Sequence, residues 1–239
     1  MPTVVLLHGF TQTRQSWRRT IAALGGRYRA LAPDLPGHGL AAERRPASFA
    51  ACTAYVRALG GKRFTLVGYS MGGRIALNAP LALPGSVERL VLVGASPGIA
   101  DASEREQRRL ADETLAARIP SIGIEAFARE WGGQELFAGQ AERVAAAAYA
   151  DRLRNTPHGL AAALRGLGTG VMPPLWDRLG SLAMPVTLVV GERDAKFRAI
   201  AERMAPAISR SRIVIVAGAG HAVQLEEPGA VAAAITDTP

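Results

Sequence analysis

Short β-branched runs alternate with stretches of helical period along this chain. Six runs read as strands: 3–7, 28–32, 64–67, 87–93, 186–190 and 212–216. Helical patterns fall between and after them, at 17–23, 48–59, 71–82, 197–204 and 228–235. Strands alternating with crossover helices predict an α/β fold with a parallel sheet. Right-handed crossovers around a central third strand give the expected spatial order 2-1-3-4-5-6. The rhythm breaks once. About 90 residues separate the fourth strand from the fifth, far more than one crossover helix requires. That interval, 97–185, is rich in Ala, Arg and Glu and carries no strand signal. Breaks are expected at Ile119-Pro120, Gly132-Gly133, Thr156-Pro157 and Met172-Pro173-Pro174. It predicts a helical cap inserted into a sheet domain made of residues 1–96 and 186–239.

Composition narrows the function classes. With 239 residues, 49% of them hydrophobic and 20% charged, the chain can bury a sizeable core and is not of the disordered type. Its longest apolar runs fall far short of the ~20 residues a membrane span needs. The start Met1-Pro2-Thr3-Val4 has no secretory leader pattern, so the cytoplasm is the expected location. A single cysteine, Cys52, excludes an internal disulfide and a thiolate metal site. The net charge of +8 comes from 26 Arg and two Lys, Lys62 and Lys196, scattered in runs no longer than two. No nucleic-acid recognition motif accompanies them. The expectation is therefore an anionic small-molecule partner rather than nucleic acid or a membrane, and a monomer or small homo-oligomer. Arginine suits such a ligand because its planar fork grips carboxylates bidentately.

The chemistry centres on Gly68-Tyr69-Ser70-Met71-Gly72-Gly73, directly between the third strand and a helical pattern. This is the G-x-S-x-G spelling of a nucleophile elbow in its strand–turn–helix context. A sharp turn strains the serine, and glycines two residues on either side avoid clashes across it. Such a serine needs a base and an orienting acid, in the chain order Ser, Asp/Glu, His. His221 follows the sixth strand and Asp194 the fifth, both at carboxyl ends of strands. Asp34 is the rival acid, and Glu192 is nearer the sheet. His8, His38 and His158 read as loop-fixing side chains. Oxyanion donors are expected from the backbone N–H groups of Met71 and of Phe10, in His8-Gly9-Phe10. No His or carboxylate cluster has metal-ligand spacing, and no cofactor is expected. Arg74, one helical turn beyond Ser70, lies on the same face and fits an anionic substrate better than a plain ester.

These motifs resemble the α/β-hydrolase superfamily across nearly the whole chain, with the family's leading hairpin expected to be absent. A narrower resemblance is to the MenH family, the 2-succinyl-6-hydroxy-2,4-cyclohexadiene-1-carboxylate synthases of menaquinone biosynthesis. It rests on Gly68–Arg74, Ser96-Pro97-Gly98-Ile99, Glu104-Arg105 with Arg108-Arg109, and Phe127 to Trp131 with Leu136-Phe137. Leu153-Arg154-Asn155 and Gly191-Glu192-Arg193-Asp194-Ala195-Lys196-Phe197 complete it. The resemblance implies a lyase that removes a proton α to a ketone and expels pyruvate from an enolpyruvyl ether. Ser70 would be the base, activated by His221, with Asp194 fixing the imidazole and the oxyanion hole holding the enolate. It further implies that Arg108 and Arg154 reach substrate carboxylates, with Tyr69, Trp131 and Phe137 lining the pocket. Arg105 and Arg109 compete with Arg108, and Arg152 with Arg154. The alternative is a carboxylesterase or C–C bond hydrolase that uses the same residues covalently.

Overall fold

The structure, a computed structural model, describes residues 1–237. Six strands form one sheet: β1 (Thr3–Leu7), β2 (Arg29–Leu31), β3 (Phe64–Tyr69), β4 (Val87–Val93), β5 (Val186–Gly191) and β6 (Ser211–Val216). They lie in the order β2-β1-β3-β4-β5-β6, and every neighbouring pair is parallel. The helices are α1 (Arg18–Ala23), α2 (Phe49–Gly60), α3 (Met71–Ala82), α4 (Ala102–Gly132), α5 (Glu142–Arg152), α6 (Pro157–Leu167), α7 (Ala195–Met204), α8 (Val223–Glu226) and α9 (Pro228–Thr236). The order expected from right-handed crossovers is the order found. No antiparallel strand leads the sheet among the described residues.

Every residue of β3 and β5 is buried, which explains why these strands read as continuous apolar runs rather than alternations. Period-two side chains divide the core between the two faces. Val5, Leu7 and Leu66 pack with Cys52, Val56, Ile75 and Met204 of α2, α3 and α7. Val4, Leu6 and Val67 pack with Leu24, Val231 and Ile235 on the side of α1 and α9. The edge strands are the exposed ones, and β2 is shorter than its sequence pattern. The stretch 17–23 starts earlier, as a 3₁₀ turn at Arg14–Trp17 that runs into α1.

Between β4 and β5 the chain is helical, with α4, α5 and α6 and no strand among the described residues. One expected break moves. The chain remains helical through Ile119-Pro120, and α4 breaks at Gly123, with φ 76° and ψ 167°. A proline removes one hydrogen bond and bends a helix, whereas a positive φ ends its geometry outright, and glycine adopts it without a Cβ clash. The segment keeps a small core of its own, with Ala116, Ile119, Phe127, Leu160 and Leu164. Its contacts run to the loops after β1 and β2 and to helix α3: Asp151 to Thr13, Asn155 to Gly39, and the Leu167 carbonyl to Arg74. No helix among the described residues is long and apolar enough to cross a membrane.

Candidate active site

Ser70 stands between β3 and α3 with φ 50° and ψ −109°, one of two non-glycine residues with positive φ among the described residues. The neighbouring glycines are dictated by space. A Cβ on Gly68 would enter the Gly72 carbonyl, and one on Gly72 would stand 2.5 Å from the His8 carbonyl oxygen. The turn presents the hydroxyl at the N-terminus of a 12-residue helix, the positive end of its dipole.

Two loops bring the partners. His221 Nε2 lies 3.3 Å from Ser70 Oγ, and His221 Nδ1 lies 2.7 Å from Asp194 Oδ2. With Nδ1–H donating to the carboxylate, the Nε2 lone pair faces the serine hydroxyl. Asp194 also accepts the Phe197 N–H through Oδ1 at 3.2 Å, capping α7 and fixing the carboxylate. The imidazole is buried and clamped. The Phe197 ring packs 4.4 Å from it, Tyr69 5.2 Å and Phe137 6.3 Å, centroid to centroid. The sequence marked Lys196-Phe197 without giving it a task. Phe197 supports the imidazole, and Lys196 Nζ lies 5.9 Å from the Phe197 ring.

The rival acids are occupied elsewhere. Asp34 accepts the backbone N–H groups of Arg14 at 2.7 Å and Leu40 at 2.9 Å. Glu192 accepts the Gly218 N–H at 2.9 Å. His8 Nε2 accepts the Leu35 N–H at 3.0 Å, so Nδ1 donates to the Gly9 carbonyl, 2.9 Å away. His38 Nδ1 donates to the Pro36 carbonyl at 3.2 Å, and its ring packs edge-on to His8. Burial pushes both imidazoles below their ordinary pKa, and for His38 the neighbouring His8 adds to the shift. His158 is exposed.

Beyond β1 the chain turns through Gly9–Gln12, closed by Gln12 N–H donating to the Gly9 carbonyl at 3.2 Å. Gly9 is pressed against Tyr69, where a Cβ would stand 2.6 Å from the ring. Neither the Phe10 N–H nor the Met71 N–H has a protein acceptor among the described residues. Both remain available to a developing negative charge. Trp131 lies edge-on to Phe10, ring centroids 5.0 Å apart.

The arginines divide sharply. Arg74 is buried, and its Nη1 donates to the Leu167 carbonyl at 2.8 Å. Desolvation lowers its pKa to about 10, with Arg108 pushing the same way and Asp112 opposing, so it remains charged at neutral pH. Arg108 donates Nε to Asp112 at 2.7 Å and is half exposed. Arg105 braces the carbonyls of Ile99 and Ala100, and Arg109 pairs with Glu106 on the surface. Arg152 and Arg154 differ in burial. Arg154 is 58% exposed at its side chain, 3.8 Å from Asp151. Arg152 is buried, its guanidinium 5.2 Å above the Phe137 ring, and its Nε has no hydrogen-bond partner. Among the described residues, neither Arg74 nor Arg152 has a carboxylate within ion-pair distance. No group of three or more His, Cys, Asp or Glu among those residues is placed to hold a metal ion.

A strained serine at a strand–helix elbow, served by histidine and aspartate from the ends of later strands, defines a class of proteins. The chain belongs to the alpha/beta hydrolase family, whose pattern it matches over residues 4–234. It is 34% identical over 235 residues to the 2-succinyl-6-hydroxy-2,4-cyclohexadiene-1-carboxylate synthase of Salmonella enteritidis, covering 96% of this chain and 90% of that one. A Bacillus subtilis protein provisionally given the same name is 38% identical, covering 94% of this chain and 85% of its own length. Among solved structures, MenH from S. aureus superposes with a TM-score of 0.91 at 32% identity, over 98% of this chain and 91% of that one.

Proposed function

We propose that this chain eliminates pyruvate from 2-succinyl-5-enolpyruvyl-6-hydroxy-3-cyclohexene-1-carboxylate to give 2-succinyl-6-hydroxy-2,4-cyclohexadiene-1-carboxylate. The observation that carries this reading is the pair of buried guanidinium groups, Arg74 and Arg152, with no carboxylate at ion-pair distance among the described residues, beside a Ser–His–Asp arrangement. A buried unpaired charge is costly unless a ligand completes it. A substrate bearing several carboxylates supplies that completion, and a neutral ester does not. Relatives named for this synthase align over most of the chain.

Ser70 is the base. His221 takes the hydroxyl proton, and the resulting alkoxide removes the proton from the ring carbon that carries the succinyl ketone. The electron pair moves to a new double bond beside that carbon, the existing ring double bond shifts one position, and the bond to the enolpyruvyl oxygen breaks. Pyruvate leaves as its enolate and is protonated, and no water is consumed. Phe10 and Met71 N–H groups hold the developing enolate oxygen, and Asp194 stabilises the imidazolium. Arg74, Arg108 and Arg152 take the carboxylates, with Tyr69, Phe137 and Trp131 around the ring. Helices α4–α6 act as the cap that closes the site from water. The enzyme works in the cytoplasm on a multiply anionic small molecule.

The test is pyruvate release from that substrate in water enriched in heavy oxygen. Pyruvate and diene should form in equal amounts with no solvent oxygen introduced by turnover, and rapid quench should find no acyl-Ser70. A covalent Ser70 species on this substrate would replace the lyase reading with the hydrolase one.

A further inference from the structure

We propose that Asn155 is a positioning residue that locks the turn carrying the Phe10 oxyanion donor. The inference rests on the oxyanion role assigned above. Within the turn Gly9–Gln12, Thr11 occupies the third position with φ 68°. Phe10 has negative φ, so the pattern is that of a type II turn, whose third place belongs to glycine or asparagine. A β-branched residue there is strained and holds only if its surroundings impose it.

Those surroundings come from the inserted helices. Asn155 follows α5, is buried, and donates Nδ2 to the Thr11 carbonyl at 2.8 Å. The same nitrogen lies 3.0 Å from the Arg152 carbonyl, and Oδ1 accepts the Gly39 N–H at 3.0 Å. Asp151, on the last turn of α5, accepts the Thr13 N–H at 2.9 Å and also its hydroxyl. The turn is thus gripped on its carbonyl side by one residue and just beyond by another. If Thr11 relaxed to negative φ, the Phe10–Thr11 peptide would turn over and Phe10 would shift with it, so that the Phe10 N–H, carried by the preceding peptide, would leave its aim. Asn155 also ties that turn to the backbone of Arg152. The element that would grip a substrate carboxylate therefore also sets the oxyanion donor.

Asn155→Ala and Asn155→Asp test this, the second because it keeps the shape while replacing the donor with an acceptor. Both should lower kcat for pyruvate release about 10- to 100-fold, the scale of a misplaced catalytic group, with KM within about threefold. Adding Thr11→Gly to Asn155→Ala should recover about fivefold or more, because glycine adopts the conformation unaided. A lowered melting temperature with unchanged kcat would make Asn155 a structural brace and overturn the proposal. A rise in KM alone would show that it acts through Arg152. A double variant no better than Asn155→Ala would remove Thr11 strain as its object. If the wild type releases no pyruvate, the functional reading fails instead. The turn is then judged from the rate of Ser70 labelling by a fluorophosphonate, which should fall in both Asn155 variants. An unchanged rate there would overturn it.

Discussion

Arg74 and Arg152 hold buried guanidinium groups whose charge no carboxylate among the described residues neutralises within ion-pair distance. Burial pushes both toward the neutral form, yet an arginine remains protonated at pH 7. Arg74→Ala and Arg152→Ala should each lower kcat/KM for the succinyl-enolpyruvyl substrate by about 2–4 kcal/mol, as truncation of one partner of a buried charge pair does. The loss should fall mainly on KM, and a small neutral ester should be nearly unaffected. Arg154→Ala should change neither, since exposed pairs contribute little. Steady-state kinetics on the three variants decide this, and equal losses on acid and ester would make the two arginines structural. The sequence left Arg152 and Arg154 in competition for a physical reason. Helix α5 is mostly alanine around its polar ends, so it has no apolar stripe to set its phase. The place of Arg74 on α3 was legible because the elbow fixes the phase of that helix from its first residue.

At the level of elements, the elbow shows how closely sequence and packing agree. Gly72 lies against the carbonyls of Leu7 and His8, so β1 and α3 touch backbone to backbone there. Gly72→Ala should destabilise the protein by about 1–3 kcal/mol through overpacking. Gly229, in the first turn of α9 with nothing within 4 Å of an added Cβ, gives the opposite expectation. Gly229→Ala should stabilise by about 0.4–1 kcal/mol by restricting the unfolded chain. Urea unfolding of the two variants beside the wild type measures both signs. Elements of this kind, strands built from buried Val and Leu and a helix opened by Ser70, were readable because local preference and tertiary contacts coincide. Elsewhere they conflict. Pro120 reads as a helix end but sits inside α4, and the break falls at Gly123. The brace from Asn155 to Thr11 was not readable, because it spans 144 positions and joins two loops with no periodicity.

For the whole molecule, the buried histidine pair links the end of β1 to the loop after β2 and makes folding itself sensitive to acid. Both imidazoles titrate below the ordinary value of 6.5 in the folded chain, because burial disfavours the cation. In the unfolded chain they take protons as the pH drops through about 6.5, while the folded chain does not yet do so. The unfolded state then binds more protons, so stability falls with falling pH. The stabilisation is fully present above about pH 6.5 and is lost progressively below it, until the folded imidazoles titrate in turn. Each such histidine contributes a slope of up to about 1.4 kcal/mol per pH unit in that window. The chain already carries a net charge of +8, so further protons also add to its self-repulsion. His38→Gln separates the two effects, because it removes one buried titration and leaves the overall charge at neutral pH unchanged. Its urea midpoint should be lower than the wild type's at pH 7.5, through the lost Pro36 contact, but should decline less between pH 6.5 and 5. Parallel declines in the two proteins would mean that His38 does not report on folding, and that the acid sensitivity lies in His8 and the net charge.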